Sequence, residues 1–384
     1  MQQLWKVLIW SLRAAYTGNW PDSDVDGNSY SVYPESSFER RMAGKPLAGG
    51  HFLVTWSLKG DLEYFAKGLH LRHYACNEFC EFCRAHSNPR DIPRLWTNFS
   101  AGAAWKTSLF SVAEWRAMHA VDMHWLFREF DFLSQHNVDP DELHVVYMGV
   151  VAYMLGSVLW VLAYKCLPGD PKGNLSLVWG QIAAAYRSLR TPTQYSSLNL
   201  NMFTDSKQPR SQYPKLKGRG AEMKDLVKPL LLCWEHFRSD KYEFDTIRDM
   251  LRSQVELQEV LSAYSRELFL PETEADKVIA CVDDILFSYS KLANKADREG
   301  GDAGLLWNVT PKFHWFWHWG QRAPLLNPRR SSCCLDEDFV GDVKEVVGAS
   351  TASTPMQQVP LKVMEKIVWQ MHFVNMPPST PTST

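Results

Sequence analysis

The least polar stretch of the chain, VVYMGVVAYMLGSVLWVLAY at 145–164, carries no charged side chain over twenty residues. That length suffices to span a bilayer. Gly149, Gly156, Ser157 and three tyrosines dilute its hydropathy, and its flanks give no positive-inside bias. A helix buried on all sides of a large core has the same pattern. The core helix is therefore preferred over the alternative, a single membrane span through 145–164. Its start is marked by DPDELH, which predicts Asp139 as N-cap, Pro140 as the first helical residue and Glu142 as a capping-box acid.

The rest of the pattern is mostly helical. MQQLWKVLIWSLRAAYTG places Lys6 and Arg13 at helical intervals and predicts an amphipathic helix; it lacks the apolar run and cleavage site of a signal peptide. GGHFLVTWSL (49–58) is aromatic and β-branched after a glycine pair and predicts a strand, with Asp61 just past its end. Residues 108–135 set aromatics and charges at helical spacing. Long amphipathic segments continue from Gly169 to about residue 296. LLWNVT (305–310) predicts a short strand and LKVMEKIVWQMHF a last helix, while STASTP and PPSTPTST read as tails. The expected class is α/β, mainly helical by content.

A net charge of −2 removes the global basic footprint of a protein that coats nucleic acid, leaving room for a local groove. The cysteines outside one cluster, at 166, 233, 281, 333 and 334, form no disulfide framework, so a reducing nuclear or cytoplasmic location is expected, not secretion.

The exception is CNEFCEFC at 76–83. A C-x2-C pair, here Cys80 and Cys83, is a frequent half of a tetrahedral zinc site. PKFHWFWHW supplies a second half, His314 and His318, four apart and on one face of a helix. Cys76 and His86 compete as ligands in a tighter local knuckle. Two acids flank these halves: Asp61 lies nineteen residues before Cys80, and Glu337 nineteen after His318. A zinc joining the halves would bring both acids into one region, and paired carboxylates are what a Mg2+ or Mn2+ phosphoryl-transfer site requires.

The order strand, Asp61, C-x2-C, helical insertion, H-x3-H, Glu337 resembles the cut-and-paste DNA transposases with a DDE triad on an RNase H-like fold. The CACTA and Plavaka-like groups are most similar, with the Transib and RAG recombinase lineage related. The resemblance implies a partial RNase H-like core over 1–100 and a helical insertion over 101–300. It further implies a closing strand and helix over 301–345, then a C-terminal helix and tail over 346–384. Asp61 matches the second catalytic aspartate, Glu337 in EDFVGDVK the last acid, and Asp141 with His144 the family's D-x2-H element. DNA is the implied partner, in a homodimer where the family assembles as one; no small-molecule substrate is implied. No strand ending in aspartate precedes residue 40, and Asp22, Asp24 and Asp26 lie in a polar stretch. The family's first aspartate is thus missing, and the expectation is an N-terminally truncated chain, inactive alone. The alternative is a zinc-stabilised module that binds DNA or protein without chemistry. Lys207, Arg210, Lys215, Lys217, Arg219 and Lys224 form a local cationic run suited to a phosphate backbone.

Overall fold

The computed structural model describes residues 2–237, 243–300, 305–351, 354–359 and 361–366. Its contacts divide the chain into two units, Met1–Ser331 and Ser332–Thr384. The first unit is mainly helical, with one two-stranded parallel sheet among the described residues.

Helix α1 (Gln2–Thr17) sets Trp5 edge-on against His124, ring centroids 4.4 Å apart. A short α2 (Phe38–Met42) follows, capped by the Ser37 hydroxyl. Strand β1 (Leu58–Gly60) leads through Asp61 into α3 (Leu62–Gly68). The strand expected over 49–58 is confined to its last residue. Phe52, Leu53, Val54 and Trp56 are exposed instead, and no neighbouring strand pairs with them among the described residues. An apolar β-branched run becomes a strand only where a partner lies alongside. Between 108 and 135 the helices are short: α4 (Val112–Met118), opened by a Ser111–Glu114 capping box, and α5 (Trp125–Glu129).

Strand β2 (Val138–Pro140) runs parallel to β1, with Gly60 opposite Pro140. Asp139, expected as a helix cap, is a buried residue of this strand; it forms an ion pair with Arg322 and accepts from the Ser57 hydroxyl. The cap is Asp141, which accepts from the amides of Leu143 and His144 at 3.0 Å each. Pro140 is accordingly a strand residue. Helix α6 (Glu142–Cys166) is long and apolar enough to cross a membrane, yet 89% of its apolar window is buried inside the protein. Its apolar surface is consumed by packing, the core-helix outcome of the two that the sequence allowed.

Helices α7 (Pro171–Leu189), α8 (Gly220–His236), α9 (Phe244–Ala263) and α10 (Glu272–Glu299) build the remaining core, α9 lying along α10 and α8. Residues 305–310 form no strand. Trp307 turns there with φ of 60°, and its amide donates to Ser157 on α6 at 3.3 Å. Helix α11 (Pro311–Gln321) then packs against α6 and α10 with Phe313, Trp315, Phe316, Trp317 and Trp319 all buried. Trp105, Trp115, Trp160, Trp234, Trp307 and Trp319 are fully buried. Truncating any one would cost roughly 3–5 kcal/mol.

In the second unit, α12 (Cys334–Thr351) takes in the first two residues of the expected STASTP tail, and the Ser350 hydroxyl donates to Val346 O at 2.6 Å. Residues 361–366 begin the last expected helix. Its remainder and the PPSTPTST tail lie outside the described residues.

Candidate metal centre

After α3 the chain forms an irregular, well-buried segment that carries Cys80 and Cys83, each at most 1% exposed. From the far end of the sequence α11 brings His314 and His318, one turn apart and also buried. The four ligand atoms all lie within 4.8 Å of one another. Cys80 Sγ is 3.6 Å from Cys83 Sγ and 3.3 Å from His318 Nε2. Cys83 Sγ is 3.4 Å from His314 Nε2, and the two Nε2 atoms are 3.2 Å apart. A zinc ion about 2.3 Å from sulfur and about 2.0–2.1 Å from nitrogen needs tetrahedral edges of roughly 3.8 Å S–S, 3.5 Å S–N and 3.3 Å N–N. These four of the six edges match to within about 0.2 Å, and the donor set suits zinc. Both halves expected from the sequence meet in one site.

The protonation chemistry agrees. Burial raises the Cys80 thiol, but the hydrogen bond from Cys83 and the His318 and His314 rings outweigh it and hold Cys80 well below the ordinary thiol value. Cys83 is pushed well above it by burial and by the Cys80 sulfur. One thiolate is thus readily formed, and a bound dication supplies what the second needs to lose its proton. Burial also lowers His318, favouring the neutral imidazole that ligates metal.

A residue between the cysteines holds the segment in place. Glu81 is fully buried and accepts from the Arg72 amide at 2.6 Å and from Trp115 Nε1 at 2.7 Å. His119 Nε2 lies 2.7 Å away and the Arg72 guanidinium 3.5 Å. The Phe82 amide points at Cys80 Sγ, 3.3 Å away. Phe82 also covers His318 at 4.8 Å between centroids, and Trp105 covers His314 at 4.4 Å. His314 Nδ1 has no hydrogen-bond partner. Zinc-bound histidines usually fix this nitrogen on a carboxylate or carbonyl; here aromatic packing orients the ring. The local knuckle fails: Cys76 is exposed, and His86 Nε2 faces Asp91 at 3.1 Å.

The second predicted cluster is arranged differently. Because Gly60 pairs with Pro140, Asp61 and Asp141 each follow the C-terminal end of one of two adjacent parallel strands. Each caps the next helix, Asp61 by accepting from the Tyr64 amide at 2.6 Å. Asp141 is fully buried and also hydrogen-bonds His144 Nδ1, which raises the His144 pKa against the opposing effect of burial. Asp61 and His144 line a cleft of about 280 Å³ together with Tyr74, Tyr153, Lys215 and Lys312. Burial, then the neighbouring Lys215, lower the Lys312 pKa. Among the described residues, the Cys80–Cys83–His314–His318 set is the one group of three or more potential ligands drawn this close. Glu337 falls within α12 of the second unit; its side chain, and therefore its expected pairing with Asp61, lies outside the described residues.

Family models, curated proteins and solved structures give no match to this chain.

Three features have no sequence pattern of their own. Glu81 lies between two better-marked cysteines. Arg322, one residue beyond α11, ties that helix to β2 through Asp139. Lys312 opens α11 and faces the Asp61 cleft, two residues before the first zinc-site histidine. Of the cationic run, Lys215 and Lys217 line clefts, whereas Arg219 is paired with Glu222 at 3.2 Å.

Proposed function

We propose that this protein descends from a DDE-type cut-and-paste DNA transposase and acts as a zinc-stapled nucleic-acid-binding protein, with no strand cleavage of its own. The single observation that carries the reading is the joining of a C-x2-C to an H-x3-H across more than two hundred residues of mostly helical chain. That long-range closure is what the family resemblance implies, and an unrelated local zinc knuckle would not produce it. Two parallel strands with an aspartate after each C-terminal end add support for an RNase H-like ancestry.

Binding is favoured over cutting because Asp61 is engaged as a helix cap and no second close ligand cluster gathers around it among the described residues. A catalytic Mg2+ or Mn2+ needs several hard oxygen ligands converging on one point. The zinc would be structural, its coordination closed by four protein ligands.

The test is incubation of the purified, zinc-loaded full chain with labelled DNA, with and without Mg2+ or Mn2+. Salt-sensitive binding without cleavage or joining is expected. Divalent-dependent cleavage abolished by Asp61→Ala would replace this reading with an active enzyme. Zinc retained with no affinity for DNA would leave the zinc-stabilised protein-interaction module in its place.

A further inference from the structure

Two clefts meet at Lys215. The first is that of Asp61, His144 and Lys312. The second, of about 360 Å³, shares Tyr153 and Lys215 with it and continues past Tyr213, Lys217 and Asn308. Tyr153 of α6 lines both. Gly149, Tyr153 and Gly156 follow one another along one face of that helix at helical spacing.

Both glycines act as notches. A Cβ on Gly149 would lie 3.0 Å from Lys312 Cδ, so the bare helix lets the Lys312 stem lie flat against it. A Cβ on Gly156 would lie 2.8 Å from Lys215 N and 2.9 Å from Leu216 N, so the 215–216 backbone also comes in close; Leu216 N donates to Ala152 O at 2.9 Å. Between the notches the Tyr153 ring underlies the Lys215 ammonium at 5.1 Å. Two lysines distant in sequence are thereby seated side by side. Among the described residues neither ammonium has a carboxylate within ion-pair distance.

Acidic neighbours are largely committed elsewhere. Glu63 is paired with Lys67 at 2.5 Å, and Asp141 with His144. That leaves Asp61 against two lysines. At the same place α11 begins without a side-chain cap, and the buried Thr310 Oγ1 on the cleft wall has no partner. Pro311 has no amide hydrogen and the Phe313 amide donates to Thr310 O at 2.9 Å, so of the first three residues of α11 the Lys312 amide is the donor left for an anion.

We propose that the twin cleft is a phosphate-binding site in which Lys215 and Lys312 hold one phosphate group beside the start of α11, while Lys217 receives the next along a nucleic-acid strand. A phosphodiester carries one negative charge per group, which suits two lysines partly offset by Asp61 better than a free phosphate dianion does. The adjoining second cleft, with Tyr213 and Tyr153 as flat surfaces, suits a chain of phosphates with bases attached. The choice of phosphodiester over free phosphate rests on the nucleic-acid reading above; the site itself rests on the cleft.

The experiment uses the zinc-loaded full chain and a labelled oligothymidylate, followed by anisotropy over a range of salt, with inorganic phosphate as competitor. K215Q and K312Q are each expected to weaken binding roughly tenfold. Each should also reduce the slope of log K against log salt by about 0.7. K277Q, which removes an α10 charge paired with Glu274 and outside both clefts and the cationic run, should leave both nearly unchanged. K215R and K312R, which keep the charge, should retain most of the affinity, and zinc content measured on every sample separates a lost site from a lost fold. Binding of inorganic phosphate that depends on Lys215 and Lys312, without oligonucleotide binding, would uphold the site and overturn its nucleic-acid occupant. With zinc retained, binding indifferent to K215Q and K312Q, or no binding of either probe, would overturn the site.

Discussion

Helix α11 carries parts of two sites that differ in almost every physical respect. At His314 and His318 it faces a dry, aromatic-walled centre with all four ligand residues buried. Two residues earlier, at Lys312, it faces an open cleft where cationic side chains stand beside Asp61. The first gains from excluding water, since thiolate and imidazole donors are satisfied only by a metal. The second needs water and space, since among the described residues neither Lys215 nor Lys312 has a carboxylate within ion-pair distance. One short helix thus links a rigid staple to an accessible surface, so loss of metal should disturb the cleft, whereas changes in the cleft should leave the metal in place.

The comparison can be broken most forcefully at the staple. Cys83→Ala or His314→Ala should abolish stoichiometric zinc binding and most cooperative unfolding of the first unit, because metal-binding free energy is also folding free energy. Metal analysis with thermal melting would show it. Glu81→Ala comes next, leaving the Arg72 guanidinium without its buried counter-charge and Trp115 Nε1 and His119 Nε2 without their buried partner. A destabilisation of about 3–5 kcal/mol is expected in denaturant unfolding. Gly156→Ala should cost about 1–3 kcal/mol, because the added methyl meets the backbone at 215–216, which cannot give way as a side-chain tip could.

The smallest expected effect depends on pH. The Asp141 hydrogen bond raises the His144 pKa above its ordinary value of 6.5, although burial opposes this. A raised folded-state pKa means that the pair's contribution is fully present below the unfolded value and is lost as pH rises through the folded one. Stability should therefore fall modestly above pH ~6.5 in the unmodified chain, and that slope should flatten in Asp141→Asn. Chemical denaturation across neutral pH would measure it.

The two sites were also unequally legible in the sequence. Cysteines three residues apart and histidines four apart are local patterns with one common chemical meaning, so both halves of the staple could be read before any fold was known. Glu81 could not, because its partners Arg72, Trp115 and His119 converge on it only through tertiary structure. The cap of α6 lies two residues beyond the one that DPDELH predicts: Asp139 and Asp141 flank Pro140 alike, and only pairing with β1 makes the first a strand residue. The apolar 49–58 segment promised a strand that its surroundings do not supply. The glycines of α6 did announce close neighbours, but nothing in the sequence said that the neighbours would be Lys215 and Lys312. Spacing encodes ligands; it does not encode which distant charges a notch will seat.

The central claim is that one zinc joins the two ends of the first unit. X-ray absorption at the zinc edge, on protein purified without added chelator, tests it most directly. One zinc per chain is expected, with two sulfur scatterers at about 2.3 Å and two nitrogen scatterers at about 2.0 Å, lost together in His314→Ala and Cys83→Ala. A three-sulfur shell, or zinc that survives His314→Ala and His318→Ala but not Cys76→Ala, would contradict it.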